Sequence, residues 1–209
     1  PMAKDYKRIG ENDTGLNTGG MGAISPVPFA DESFLKEIDQ KIIKPTIKGL
    51  SKERINYVGF IFIGLIKVNN SPYVIEYNVR MGDPETQVVF PRIKNDFGEI
   101  LLAIKSKEIS KIKLNIEDKF ATTICAVSGG YPEAYQKGKK INGIENIEGS
   151  NIFHAGTVLK GSNIFTNGGR VLAMTSLGKS IKDSISKSYK ELKKIHFDGI
   201  NYRKDIGFD

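Results

Sequence analysis

Val74-Ile75-Glu76-Tyr77-Asn78-Val79-Arg80-Met81-Gly82-Asp83-Pro84-Glu85 is the stretch on which the reading of this sequence turns. β-Branched and aromatic residues alternate with polar ones, as in a strand whose side chains point to opposite faces in turn. Glu76, Asn78 and Arg80 therefore share one face. Ile75, Tyr77 and Val79 share the other, and this apolar set is expected to face the core. The polar set lines up a carboxylate, an amide and a guanidinium, each about 6.5–7 Å from the next. A hard cation such as Mg²⁺ takes one or two protein oxygens and completes its shell with phosphates and water. Glu76 and Asn78 are thus candidate metal ligands. Arg80 adds a planar fork suited to a phosphoryl or carboxylate group. A lone Glu-x-Asn-x-Arg is also how a solvated strand face reads. The turn Met81–Glu85 tips the balance, because Asp83 and Glu85 stand just beyond the strand end, where ligand-binding groups gather.

Upstream, the apolar segments Tyr57–Val68 and Tyr73–Val79 flank the turn-prone Asn69-Asn70-Ser71-Pro72, which predicts a β-hairpin. Asp31 is positioned to cap a helix with Phe34, Leu35, Ile38 and Ile42 on its apolar face, and Pro45 is expected to bend or end it. Residues 1–28 read as loop. Their segment Thr14–Gly22 has four glycines in nine residues, a composition that lets a ligand approach the main chain. Downstream, helices are predicted near Glu85–Arg92 and over Asp96–Lys105, the latter with Phe97, Ile100, Leu101 and Ile104 on one face. The lysine-rich Lys105–Lys119 reads as a connection. Beyond it, Ala121–Ser128, Ile152–Leu159 and Arg170–Ser176 are strand candidates. A closing helix is capped by Ser180 and carries the stripe Ile181, Ile185, Tyr189, Leu192, Ile195. The expected class is α+β: an antiparallel sheet with flanking helices over 1–113, then a small, mainly β domain over 114–209 with one closing helix.

The 209 residues are 39% hydrophobic and 26% charged, which excludes a disordered chain. No apolar run approaches the roughly 20 residues that span a bilayer. One cysteine, Cys125, excludes an internal disulfide and reads as a buried strand residue in a reducing, cytoplasmic protein. The net charge of +7 fits either a nucleic-acid-binding module or a preference for anionic small molecules. The lysines are dispersed without an aromatic–basic motif, so nucleic acid is not expected as a partner, nor is a membrane. His154 and His196 have no partner at metal-ligand spacing and read as structural. The chain opens on Pro1, not Met, and is expected to be a fragment of a longer protein.

The stretch Val74–Gln87 resembles the metal-binding strand and following turn of the phosphoribosylamine–glycine ligase (glycinamide ribonucleotide synthetase) family of ATP-grasp enzymes. The segments Asp5–Arg8 and Asp13–Pro26 resemble that family's glycine-rich region. Gly129–Pro132, Phe153–Thr157, Thr166–Leu172 and Arg203–Gly207 resemble its C-terminal domain, in the family's order. The resemblance implies the C-terminal half of an ATP-grasp fold and a reaction. Glycine's carboxylate takes the γ-phosphoryl group of ATP, and the amine of 5-phosphoribosylamine attacks the resulting glycyl phosphate. The products are glycinamide ribonucleotide, ADP and phosphate, a step of de novo purine synthesis.

By resemblance, Glu76 and Asn78 ligate Mg²⁺ or Mn²⁺, Arg80 stabilises the transferring phosphoryl group, and Lys7 approaches the phosphates. Backbone amides of Asn17, Thr18, Gly19, Gly20, Met21 and Gly22 cradle phosphate or carboxylate oxygens. Asp83 and Glu85 orient Arg80 or the substrate amine. Two departures stand out. The strand Gly59–Leu65 carries no acid for a second metal, and Tyr6 stands where the family commonly has histidine. The resemblance also implies that the N-terminal half of the same enzyme is needed, so these residues alone are expected to be inactive. Another ATP-grasp carboxylate–amine ligase and a basic nucleic-acid-binding module are the alternatives.

Overall fold

The structure, a computed structural model, describes residues 1–209. In chain order the first strands are β1 (Lys4–Asp5), β2 (Arg8–Gly10), β3 (Thr14–Asn17) and β4 (Gly22–Ser25). Helices α1 (Glu32–Ile38) and α2 (Lys44–Lys52) precede the strands β5 (Phe62–Val68) and β6 (Ser71–Asn78). Then come α3 (Thr86–Val89), α4 (Phe97–Lys105), β7 (Phe120–Val127) and β8 (Lys140–Ile141). The chain closes with β9 (Asn151–His154), β10 (Thr157–Lys160), β11 (Asn163–Thr166), β12 (Arg170–Gly178) and α5 (Ile181–Leu192). These elements form two compact units. One contains Pro1–Pro26, Asp83–Ile93 and Ile116–Asp209, and the other Val27–Gly82 and Lys94–Asn115. Neither is continuous in sequence, so they cut the chain differently from a division into 1–113 and 114–209.

The first unit is built on an antiparallel five-stranded sheet of order β1-β4-β7-β12-β9. Its central strands are buried on both faces, which is why Ala121–Val127 reads as a continuous run without alternation. The helix α5 packs on this sheet after Ser180 caps it, its hydroxyl accepting from the Asp183 amide at 3.1 Å. Ile185, Leu192 and Ile195 of the predicted stripe are buried with Ile124, Leu172, Met174 and Phe197. Each such side chain withdrawn from water contributes roughly 1.5–3 kcal/mol. Serines also face the sheet: Ser184 Oγ meets Thr122 Oγ1 at 2.7 Å and Ser188 Oγ donates to the Thr122 carbonyl at 2.8 Å.

Two expectations for this unit change. Residues 1–28 are not simply loop, because Gly22–Ser25 is a wholly buried strand paired with β7 from Gly22↔Ile124 to Ser25↔Ala121. Three of its four residues are small and carry little strand propensity, so Ile24 alone gave no strand signal. The predicted strand Ile152–Leu159 is broken in two. Its first part, β9, pairs with β12, and its second, β10, pairs with β11 in a separate sheet of order β10-β11-β8. The break falls at Gly156, where a Cβ would lie 2.6 Å from the Arg170 carbonyl oxygen and from Gly168 Cα. His154 Nδ1 lies 3.0 Å from Thr157 Oγ1 across this break, a structural contact.

Arg203 ties the C-terminal tail to the early strands. It is 3% exposed. Its guanidinium donates to Asp205 Oδ1 at 2.8 Å, Asp205 Oδ2 at 2.7 Å, Asp13 Oδ1 at 2.7 Å and the Arg8 carbonyl at 3.2 Å. It also stands 5.4 Å from the centre of the Tyr6 ring.

The second unit holds α1, α2, the hairpin and α4. Asp31 caps α1, accepting from the Phe34 amide at 2.8 Å, and Asp96 caps α4, accepting from Gly98 and Glu99. Phe34, Ile38 and Ile42 are buried as expected, but Leu35 and Leu101 are exposed. Pro45 does not end the helix. A π-helical turn over Asp39–Ile43 precedes it, and Pro45 occupies the first turn of α2, where a missing amide proton costs little. The strands β5 and β6 pair in antiparallel fashion from Phe62↔Asn78 to Val68↔Ser71. Asn69 (φ 49°) and Asn70 (φ 64°) form the two-residue turn, matching the left-handed pair that twisted hairpins favour. The apolar set of β6 does not face a core: Ile75 is 64%, Tyr77 50% and Val79 74% exposed. Alternation assigned the face correctly, but no layer in this chain covers it.

Candidate functional site

The residues singled out by sequence fall into both compact units. Glu76, Asn78 and Arg80 belong to the hairpin unit, and Lys7, Asn17–Gly22, Asp83 and Glu85 to the sheet unit.

On the hairpin the three polar side chains form one hydrogen-bonded row. Asn78 Nδ2 donates to Glu76 Oε1 at 3.1 Å, and Arg80 Nη2 donates to Asn78 Oδ1 at 3.3 Å. Arg80 Nη1 also donates to the Met81 carbonyl at 2.8 Å. The row's far end is held from behind by Tyr57, whose hydroxyl donates to the carbonyls of Phe60 at 2.7 Å and Val79 at 3.2 Å. Tyr77, on the opposite face, meets Thr46 Oγ1 of α2 at 2.9 Å. A carboxylate and an amide oxygen side by side are hard donors, and an exposed pair leaves room for further oxygen ligands. That donor chemistry fits a small divalent cation that keeps several non-protein ligands.

In the sheet unit the glycine-rich loop is held by its own protein. The Thr18 amide and Thr18 Oγ1 both donate to the Lys7 carbonyl at 2.8 Å. The Gly19 amide donates to Tyr131 Oη at 2.9 Å, the Gly20 amide to Thr18 Oγ1 at 2.9 Å, and the Met21 amide to the Tyr6 carbonyl at 2.7 Å. The amides of Thr18 to Met21 therefore do not form the open phosphate cradle expected of them. Each already has an acceptor.

Asp83 has its partners within the sheet unit. Arg170 forks onto it, Nη2 to Oδ2 at 2.5 Å and Nη1 to Oδ1 at 3.2 Å, while Gln87 Nε2 donates to Oδ1 at 3.0 Å. Arg170 Nη1 also reaches the Gly19 carbonyl at 2.9 Å and the Asp83 carbonyl at 3.3 Å. Neither Arg170 nor Tyr131 was a predicted site residue. Both stand inside motifs that the sequence reading set apart, but no spacing rule connects them to residues more than a hundred positions away.

Glu85 is 7% exposed. Burial raises its carboxyl above the ordinary range, with Asp5 and Asp83 pushing the same way and Lys7 opposing. Lys7 itself is half exposed, its ammonium 3.4 Å from Asp5 Oδ2. Tyr6 is buried and donates to Asp209 Oδ1 at 2.6 Å; burial and this partner hold the phenol protonated. Cys125 is buried, and desolvation pushes its thiol up to about 12, consistent with the inert strand residue expected from sequence.

A family model described as phosphoribosylglycinamide synthetase, ATP-grasp (A) domain, matches residues 1–86. The C-domain model of the same synthetase matches residues 121–209. A curated relative from Caldanaerobacter subterraneus subsp. tengcongensis, named phosphoribosylamine–glycine ligase, is 46% identical over 98% of this chain and 49% of its own length. One from Dictyostelium discoideum, named a bifunctional purine biosynthetic protein, is 45% identical over 99% of this chain and 29% of its own length. The crystal structure of phosphoribosylamine–glycine ligase from Thermotoga maritima superposes with a TM-score of 0.86 at 37% identity, covering 98% of this chain and 51% of that one. The chain thus spans about half the length of the single-enzyme relatives it matches.

Proposed function

Because the chain belongs to the phosphoribosylglycinamide synthetase family, we propose that it is part of an ATP-dependent ligase that joins glycine to 5-phosphoribosylamine. The observation that carries this reading is the pair of matches in the order of one enzyme, the first of which contains the Glu76–Asn78–Arg80 row. In the proposed reaction a glycine carboxylate oxygen attacks the γ-phosphorus of ATP and ADP departs. The amine of phosphoribosylamine then attacks the carbonyl carbon of glycyl phosphate, phosphate departs, and the nitrogen loses a proton. Phosphoryl transfer of this kind depends chiefly on positioning and on neutralising charge.

Glu76 and Asn78 would hold a divalent cation, which when bound supplies positive charge beside the nucleotide phosphates. Arg80, anchored by Asn78 and the Met81 carbonyl, offers its remaining donors to the transferring phosphoryl group. Lys7 is exposed enough to lend its ammonium to phosphate. Glu85, buried at the turn beyond the strand, is proposed to orient the substrate amine. The loop Asn17–Gly22 is proposed to contribute a fixed surface, since the amides of Thr18 to Met21 already have acceptors within the protein. The remainder of the relatives' length is proposed to supply the other nucleotide-binding groups.

The test uses the intact enzyme. ADP release should require ATP, glycine and phosphoribosylamine together, and Glu76→Gln should abolish it while the protein stays folded. A folded Glu76→Gln variant with normal turnover would remove the metal assignment. ADP release indifferent to glycine would remove the ligase reading.

A further inference from the structure

The bracket that Arg170 and Tyr131 form around the glycine-rich loop has no part in the chemistry above, yet it is built with specific local provisions. Gly19 is gripped at both of its polar groups: its amide donates to Tyr131 Oη at 2.9 Å and its carbonyl accepts from Arg170 Nη1 at 2.9 Å. The same guanidinium takes both carboxylate oxygens of Asp83 and its carbonyl. One side chain thus fixes the loop and the turn ahead of Glu85 to each other, and a second fixes the loop to the C-terminal domain.

The backbone around Arg170 is shaped for this task. Arg170 opens β12 opposite Val127, and the register shifts between Arg170 and Leu172. Such a bulge re-aims a side chain away from the regular pleat. Immediately before it, Gly169 lies under the Tyr131 ring, and a Cβ there would fall 2.2 Å from Tyr131 Cδ2. Only a bare backbone lets the phenol lie close enough to Arg170 to reach the same residue of the loop. The Gly168-Gly169-Arg170 run is therefore the footing of a two-armed clamp.

We propose that Arg170 and Tyr131 are positioning residues of the ligase reaction, holding the loop Thr18–Gly20 and the turn at Asp83 in the one arrangement that receives substrate. The inference rests on the reading under Proposed function. A guanidinium fork is the suitable device, because bidentate pairing fixes direction as well as distance. A lysine at the same place would supply charge without the fork. Displacement of a substrate-facing segment by about 1 Å is enough to cost on the order of 100-fold in rate.

The experiment uses the intact enzyme and three variants, Arg170→Gln, Arg170→Lys and Tyr131→Phe, with two readouts. Hydrogen exchange is followed in peptic fragments spanning Asn17–Gly22, and kcat and KM are measured for glycine and for phosphoribosylamine. Both Arg170→Gln and Tyr131→Phe should speed exchange in the loop while fragments from β7 and β12 keep their protection. Arg170→Gln should lower kcat/KM on the order of 100-fold, with an unchanged thermal midpoint, and Arg170→Lys should restore little of it. Unchanged loop exchange overturns the clamp. Faster loop exchange with unchanged kcat/KM overturns the positioning role and leaves a structural contact. A wild-type enzyme without glycine-dependent ADP release overturns the ligase reading, and the role given to the clamp falls with it, whichever way exchange responds.

Discussion

Replacing Arg203 by Met removes a guanidinium that is 3% exposed and donates to two carboxylates and a carbonyl. Breaking a buried ion pair by deleting one partner costs about 3–5 kcal/mol, because the other charge is left without compensation. Here the acceptors are only partly enclosed: the Asp13 side chain is 64% exposed and that of Asp205 24%. Water can reach both once the arginine is gone, so the cost falls to the bottom of that range or below it, about 2–3 kcal/mol. For a chain of this size that corresponds to a thermal midpoint lowered by about 4–12 °C. Methionine nearly fills the volume, so a packing void adds little.

The pH dependence gives a second handle. Hydrogen bonding and charge from Arg203 hold the Asp205 carboxyl below its ordinary 3.8. A carboxyl depressed in the folded state contributes stability above its unfolded pKa and loses it as pH falls through the folded one. Wild-type stability should therefore decline below pH 3.8, and Arg203→Met should show a shallower decline. The assay is urea unfolding of the intact protein from pH 7 to pH 3, with Asp205→Asn completing a double-mutant cycle. A loss under about 0.5 kcal/mol at pH 7, the scatter of ordinary surface substitutions, would refute the reasoning.

The remaining expectations are simpler. With its thiol pushed up to about 12 by burial, Cys125 should ignore a thiol reagent at pH 8 and react only as fast as the protein unfolds. Gly156→Ala should destabilise by about 1–3 kcal/mol, an overpacking cost, whereas Gly49→Ala, in α2 with open space around it, should stabilise by about 0.5–1 kcal/mol. Chemical denaturation of the two variants checks both. Burial raises the Glu85 carboxyl, so its contribution to stability falls as pH rises above 4.5, and Glu85→Gln should unfold later than wild type at neutral pH. An earlier midpoint for that variant would show that the ionised carboxylate is stabilised by a partner.

What the sequence disclosed was local. Asn69-Asn70 announced the hairpin, and Asp31, Asp96 and Ser180 announced helix starts, because a turn or a cap is settled by residues a few positions apart. The face shared by Glu76, Asn78 and Arg80 followed from strand periodicity. Periodicity says which side chains share a face but not what covers it, and so Ile75, Tyr77 and Val79 were misplaced in a core. The buried strand Gly22–Ser25 escaped notice because its small residues fit by shape, not by propensity. Arg170 and Tyr131 escaped because their partners are distant in sequence, Gly19 and Asp83 at 151 and 87 positions from Arg170 and Gly19 at 112 from Tyr131. Glycine content signals an accessible backbone, and at Thr18 to Met21 the protein itself takes up that access.

The clasp at Arg203 also orders events in time. Asp13 and its partner are 190 positions apart, and β4 finds β7 only after the whole hairpin unit has been made. During synthesis the glycine-rich segment emerges before β7 and Arg203 and waits without these neighbours until they follow. Contacts of such separation are formed late, since a long loop must close before any of them is rewarded. The Val27–Gly82 segment in between can meanwhile settle its hairpin and capped helices from near neighbours. The glycine-rich segment is thus translated before β7 and Arg203 but fixed only with them, and a nascent chain halted before Arg203 should leave it open to proteases.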